Sequence, residues 1–120
     1  MYFDPITNQN EPDVGDIRYV ISHLTIHMDE SDYKECENDI RKMAAGFGDE
    51  YELVKVFDFL QDAEKELSNY RCSVNKKNDT YEANAYFIER EEYCCPMKDK
   101  EYIWYGTTTW DNTIFAEMES

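Results

Sequence analysis

The sequence predicts an α+β domain, a single antiparallel β-sheet of four to five strands with two helices packed on one face. Three observations carry that class. Apolar residues alternate through DIRYVISHLTIHM, residues 16–28. They recur at spacings of three and four between residues 31 and 70, and alternation returns from residue 71 to the C-terminus with short connections between runs. Period two followed by period 3.6 and then period two again gives strand, helices and an antiparallel meander. At 120 residues with 42% apolar and 15% aromatic side chains, the chain can bury one core without metal or disulfide staples. Its expected organisation is a flexible N-terminal arm over residues 1–15 and one α+β domain over 16–120.

Each element follows from its own residues. The arm is rich in Asn, Pro, Asp and Gly and lacks periodicity. The first strand places Val20, Leu24, Ile26 and Met28 on one face, with Tyr19, Ile21, His23, Thr25 and His27 on the other. Tyr33, Cys36, Ile40, Met43 and Phe47 then form one stripe of a helix that opens on acids and stops at Gly46 or Gly48. A second helix is expected from about residue 50 to 70, because Leu53, Val56, Phe57, Leu60, Ala63 and Leu67 make a helical stripe. Glu64 falls inside that stripe, so a kink is expected there, and ELVKVFDF also reads as a strand. A short strand at RCSV, a turn at NKKND and a long strand TYEANAYFIERE follow. After the loop EEYCCPMKDK come EYIWYGTTTW, a two-residue connection at Asp111 and Asn112, and TIFAEM.

The search for reaction chemistry is largely negative. On a strand, His23 and His27 share a face about 13 Å apart, too far to bind one zinc ion. Cys94 and Cys95 are adjacent, whereas structural zinc pairs are separated by two to four residues, and neither Cys36 nor Cys72 completes a ligand pair. No nucleophile elbow, phosphate loop or calcium loop is present, and accidental carboxylate pairs are expected among 27 acids. The expectation is a protein without enzymatic activity, metal or cofactor. Tyr102, Trp104 and Trp110 share one face if EYIWYGTTTW is a strand. Base stacking on such aromatics comes with basic flanks, and here the flanks are acidic. The start of the chain has neither a basic n-region nor an apolar run, so a cytoplasmic location with reduced cysteines is expected.

Charge is the outlying property. Twenty-seven acids against twelve bases give −15. That balance disfavours nucleic acid and anionic membrane as direct partners and favours a basic protein. Residues 29–69 hold thirteen acids against five bases, more than half of the excess. Helical spacing would align Asp58, Asp62 and Glu66 in steps of about 6 Å, and pair Glu35 with Asp39 beside Asp32. Asp49, Glu50 and Glu52 cluster at the entry to the second helix. Carboxylates so arrayed can stand in for phosphates before a protein's Lys and Arg side chains. The nine acids therefore predict a DNA mimic, of the kind phages and mobile elements direct at host proteins, that blocks a basic nucleic-acid-binding surface from within the host cytoplasm. The alternatives are a non-mimic interaction protein, such as an antitoxin, immunity protein or adaptor, that binds through an aromatic sheet surface, and a charge that serves solubility alone.

Overall fold

The computed structural model describes residues 13–94 and 103–119. The arm expected over residues 1–15 lies outside these for its first twelve residues, as do Cys95 and Tyr102. Gly15, at φ +93°, ties the chain to the sheet through its N–H to the Tyr93 carbonyl at 2.9 Å.

The α+β class holds. The elements run β1 (Ile17–Asp29), α1 (Glu30–Glu35), α2 (Ile40–Phe47), β2 (Gly48–Phe57), α3 (Leu60–Leu67), β3 (Ser73–Lys77), β4 (Thr80–Cys94), β5 (Ile103–Gly106) and β6 (Ile114–Phe115), with a single 3₁₀ turn at Trp110–Asn112. The sheet order is β2-β1-β4-β3, β5 and β6 also pair with β4, and all these pairings are antiparallel. The long strands β1 and β4 form the spine, in unbroken register from Ile17 opposite Glu92 to Asp29 opposite Thr80.

Because residues directly opposite one another share a face, the register sorts the side chains. Val20, Ser22, Leu24, Ile26 and Met28 share a face with Glu89, Phe87, Ala85, Ala83 and Tyr81. The alanines of β4 leave room for α1 and α2 on this face. Tyr33 stacks on Tyr81 at 3.9 Å, and α2 buries Ile40, Met43 and Ala44. The opposite face carries Tyr19, Ile21, His23, Thr25 and His27 beside Arg90, Ile88, Tyr86, Asn84 and Glu82. Both faces of β1 are those its alternation predicts. The third helix, α3, covers part of this second face. It buries Ala63 and Leu67, and Tyr70 just beyond it stacks on Tyr86 at 4.9 Å.

Three expectations about local structure need correction. The first helix is two short ones. Glu37 and Asn38 adopt left-handed φ of 50° and 62°, and the Asp39 carboxylate restarts the helix by capping the Arg41 N–H at 2.9 Å. The helix expected over 50–70 is a strand followed by a helix of eight residues. Leu53, Val56 and Phe57 pair with β1 while Val54 bulges out of the register, and only Leu60, Ala63 and Leu67 keep the helical stripe. The helices therefore lie on both faces: two cover one, as expected for the class, and α3 lies on the other. Lastly, Trp110 belongs to the 3₁₀ turn rather than to a strand shared with Trp104.

Candidate functional site

The fold distributes the nine candidate acids over three places. Asp32 and Glu35 lie on α1, and Asp32 sits in the first turn, where its backbone N–H is capped by Asp29 at 2.8 Å. Asp39 is consumed as the cap of α2, so the Glu35–Asp39 ridge does not form. Asp58 precedes α3 in a bend, and Asp62 is in the first turn of the helix. Glu66 is half-buried. It accepts from the Tyr70 hydroxyl at 3.2 Å and from the Asn69 amide at 3.4 Å, and it pairs with Lys55 at 3.7 Å. The three-acid helical ridge at Asp58, Asp62 and Glu66 is thus corrected to two exposed acids near the start of α3 and one neutralised acid.

What the structure brings together instead is the border of the sheet. β2 is an edge strand, and Asp49, Glu50 and Glu52 stand along it with Lys55 as its one base. Glu50 lies opposite Thr25 and Glu52 opposite His23. Two residues on one side of a strand put those carboxylates about 7 Å apart. Asp49 accepts from the Nδ1–H of His27 at 2.7 Å, and Glu52 lies 3.9 Å from Nδ1 of His23, whose other nitrogen donates to Asn84 at 2.8 Å. His27 therefore anchors Asp49 from the neighbouring strand, while Glu52 stands near His23 without a hydrogen bond to it, and both acids stay outside the core. Asp49 and Glu52 remain 58% and 72% exposed at their side chains. Asp58 and Asp62 extend the same border into α3. Among the described residues, no group of three or more His, Cys, Asp or Glu is arranged to hold a metal ion, and Cys36 and Cys72 are free thiols.

On the other side of β2 a cleft of about 400 Å³ opens between the end of α2, the strand and the 3₁₀ turn. Leu24, Ala44, Phe87 and Trp110 line it, together with Tyr51 and Glu89. Fully buried Ser22 and the Tyr51 hydroxyl donate to one oxygen of Glu89, Oε1, at 3.0 and 2.8 Å. The two hydroxyls also lie 2.7 Å from each other. Two hydroxyl protons can fill only two of these three contacts at once, and the carboxylate and both hydroxyls form one compact unit. Burial raises the Tyr51 phenol to about 12, and the bond to Glu89 adds to the effect although the contact with Ser22 opposes it. Tyr51 is therefore a proton donor at neutral pH. Gly106 faces the second oxygen, Oε2, where a Cβ would approach to 3.3 Å.

Comparison of the chain with family models, with curated proteins and with solved structures gave no match. No described helix is long and apolar enough to cross a membrane. The acids of β2 were legible in the sequence as charge, although their edge position was not. Ser22, Tyr51 and Glu89 were missed, because residues 22, 51 and 89 meet only through the pairing of β2, β1 and β4 and carry no local spacing signal.

Proposed function

We propose that this chain is an acidic protein-binding inhibitor, a DNA mimic that occupies the basic nucleic-acid-binding surface of a target protein. The observation that carries the reading is the β2 border. Exposed carboxylates follow one another along a strand that has no second partner among the described residues, and into α3, in a chain of net charge −15. Glu50, Glu52, Asp58 and Asp62 present oxygens for the Lys and Arg side chains that otherwise hold phosphates, and charge-assisted bonds of that kind are the strong ones. The acids of α1, on the opposite face, are left to solubility and helix capping. Such an inhibitor acts in the cytoplasm where its target works, that of the host if it is encoded by a phage or mobile element.

A second reading is favoured by one specific observation. Tyr51 and Leu53, 55% and 47% exposed, share the other side of β2. An antitoxin, immunity protein or adaptor would use such residues as an interface anchor with little dependence on charge. Pull-down from the native cell, repeated at low and high salt, separates the two. Mimicry predicts capture of a nucleic-acid-binding protein that is lost at high salt, displaced by DNA or RNA, and weakened at least tenfold by Glu50→Gln with Glu52→Gln. Salt-resistant capture that survives those changes and fails with Leu53→Ala would establish the second reading in its place.

A further inference from the structure

The cleft beside β2 contains a feature that the charge of the chain alone does not require. Glu89 is a half-buried carboxylate held from one side by two hydroxyls, at the floor of a cavity with aromatic and aliphatic walls. Its neighbour on the same face, Glu91, has a guanidinium partner, because Arg18 Nε donates to it at 2.7 Å with the Arg18 head 4.4 Å above the Trp104 ring. Glu89 has no salt bridge to any basic side chain among the described residues. The protein therefore shows, one strand position pair away, what an acid on this face does with an arginine, and leaves a second such acid without one.

We propose that the cleft is a guanidinium pocket that takes an arginine side chain of the basic partner protein, with Glu89 as its counter-ion. The proposal deepens the acidic-inhibitor reading and rests on it for the identity of the partner. Three properties of the site select the ligand. The carboxylate is fixed through Oε1 by Ser22 and Tyr51, so Oε2 has acceptor capacity left for an incoming donor. The Trp110 ring lines the cleft, is 38% exposed and meets Phe87 in a T-shaped contact at 5.2 Å, which supplies an aromatic wall for a cation. The cavity volume of about 400 Å³ exceeds what one arginine side chain needs and is bordered by the strand edge along which the partner would lie. Arginine fits better than lysine because its planar head stacks and donates in parallel, whereas an ammonium is a strongly hydrated point charge. Tyr51 acts as a positioning residue, through Glu89.

The test is a ¹H–¹⁵N NMR titration of the full chain with N-acetyl-argininamide and, separately, with its neutral isostere N-acetyl-citrullinamide. The expected result is saturable shifts of the Trp110 indole N–H and of the amides of Gly48, Tyr51 and Glu89, at least tenfold tighter for the arginine compound. Glu89→Gln is expected to lower that affinity at least tenfold. Trp110→Ala, a change at a partly exposed ring, is expected to weaken binding as well and serves if the Glu89 variant does not fold. Absence of cleft shifts, equal binding of the citrulline compound, or undiminished binding by Glu89→Gln and Trp110→Ala would overturn the proposal. The probe needs no knowledge of the partner. If Glu50→Gln with Glu52→Gln leaves partner capture unchanged while the arginine compound still binds, the edge reading fails and the pocket stands.

Discussion

The two borders of the sheet are built in opposite ways. β3, at one border, is five residues long, ends in Lys76 and Lys77, and begins beside a residue already engaged by the C-terminal segment. Cys72 donates its N–H to the Glu117 carbonyl at 2.9 Å and accepts from the Glu119 N–H at 2.7 Å. Short length, lysines and a covering segment are the usual ways to keep an edge from pairing with another chain. β2, at the other border, is ten residues long, has no proline, and exposes most of its side chains. Its protection is charge, together with two irregularities in its register with β1, at Val54 and at Asp49. Negative charge repels a second copy that also carries −15, and it attracts a cationic segment. One border is short, carries lysines and starts beside a covering segment; the other is long and acidic.

If β2 is set aside for binding while β1 and β4 hold the fold, substitutions should separate the two roles by magnitude. Phe87 on β4 is fully buried and touches Trp110 and Phe115, so Phe87→Ala should cost about 3–5 kcal/mol in urea unfolding. Leu53→Ala, on the exposed edge, should cost under about 1 kcal/mol and change binding if it changes anything. Comparable losses at the two positions would show that the edge is part of the core and would remove the contrast.

The next effect tests the junction where α2 turns into β2. A Cβ at Gly48 would come 2.9 Å from one Leu24 methyl and 3.1 Å from the other. Gly48→Ala should therefore cost about 1–3 kcal/mol through overpacking, measured by thermal or urea unfolding. Gly46, where a Cβ meets nothing within 4 Å, supplies the control. Gly46→Ala in the helix should be neutral or stabilising by up to about 1 kcal/mol. An equal loss at both glycines would mean that the close approach to Leu24 is not what the turn depends on.

Smaller again is the effect that sorts structural acids from binding acids. Asp39→Ala removes the cap of α2 and should cost about 1 kcal/mol, with partner capture unchanged at matched folded fraction. Glu50→Gln should leave the unfolding midpoint nearly unmoved and weaken capture. The opposite assignment would place the interface on the α1–α2 side of the sheet.

These contrasts also explain what the sequence could and could not disclose. The faces of β1 were readable because apolar and polar residues alternate from His23 to Asp29 and both neighbours are antiparallel. The β2 segment was misread as helix because Leu53, Val56, Phe57 and Leu60 fall at spacings of three and four, which an edge strand tolerates when neither of its faces is fully buried. Two signals pointed the other way. Val54, Val56 and Phe57 prefer strands, and Glu64 was out of place in the long stripe because a new helix begins at Leu60. The break at Glu37 and Asn38 was hidden because a left-handed pair between two amphipathic turns preserves the apolar spacing across it. The acidic excess was visible from composition, but which acids would be spent on caps and pairs depended on tertiary neighbours such as Arg41, His27 and Lys55.

The smallest prediction concerns the compact unit beneath the cleft, where the phenol of Tyr51 is raised from 10.0 to about 12. An acid whose folded pKa exceeds its unfolded value holds its proton longer in the fold. Its contribution is complete below the unfolded pKa of 10.0 and is lost as pH rises through the folded value of about 12. Stability should therefore fall over that window, and Tyr51→Phe should make the fall shallower, read from urea midpoints at successive pH values. Part of the slope should persist in the variant, because burial and the bond to Glu66 raise the Tyr70 phenol as well. Tyr70→Phe should remove a share of that remainder while leaving the Glu89 cleft intact, since Tyr70 packs with α3 on the opposite face. Identical slopes in wild type and Tyr51→Phe would mean that Tyr51 is not held against Glu89 in solution, and the pocket would lose the donor that fixes its carboxylate.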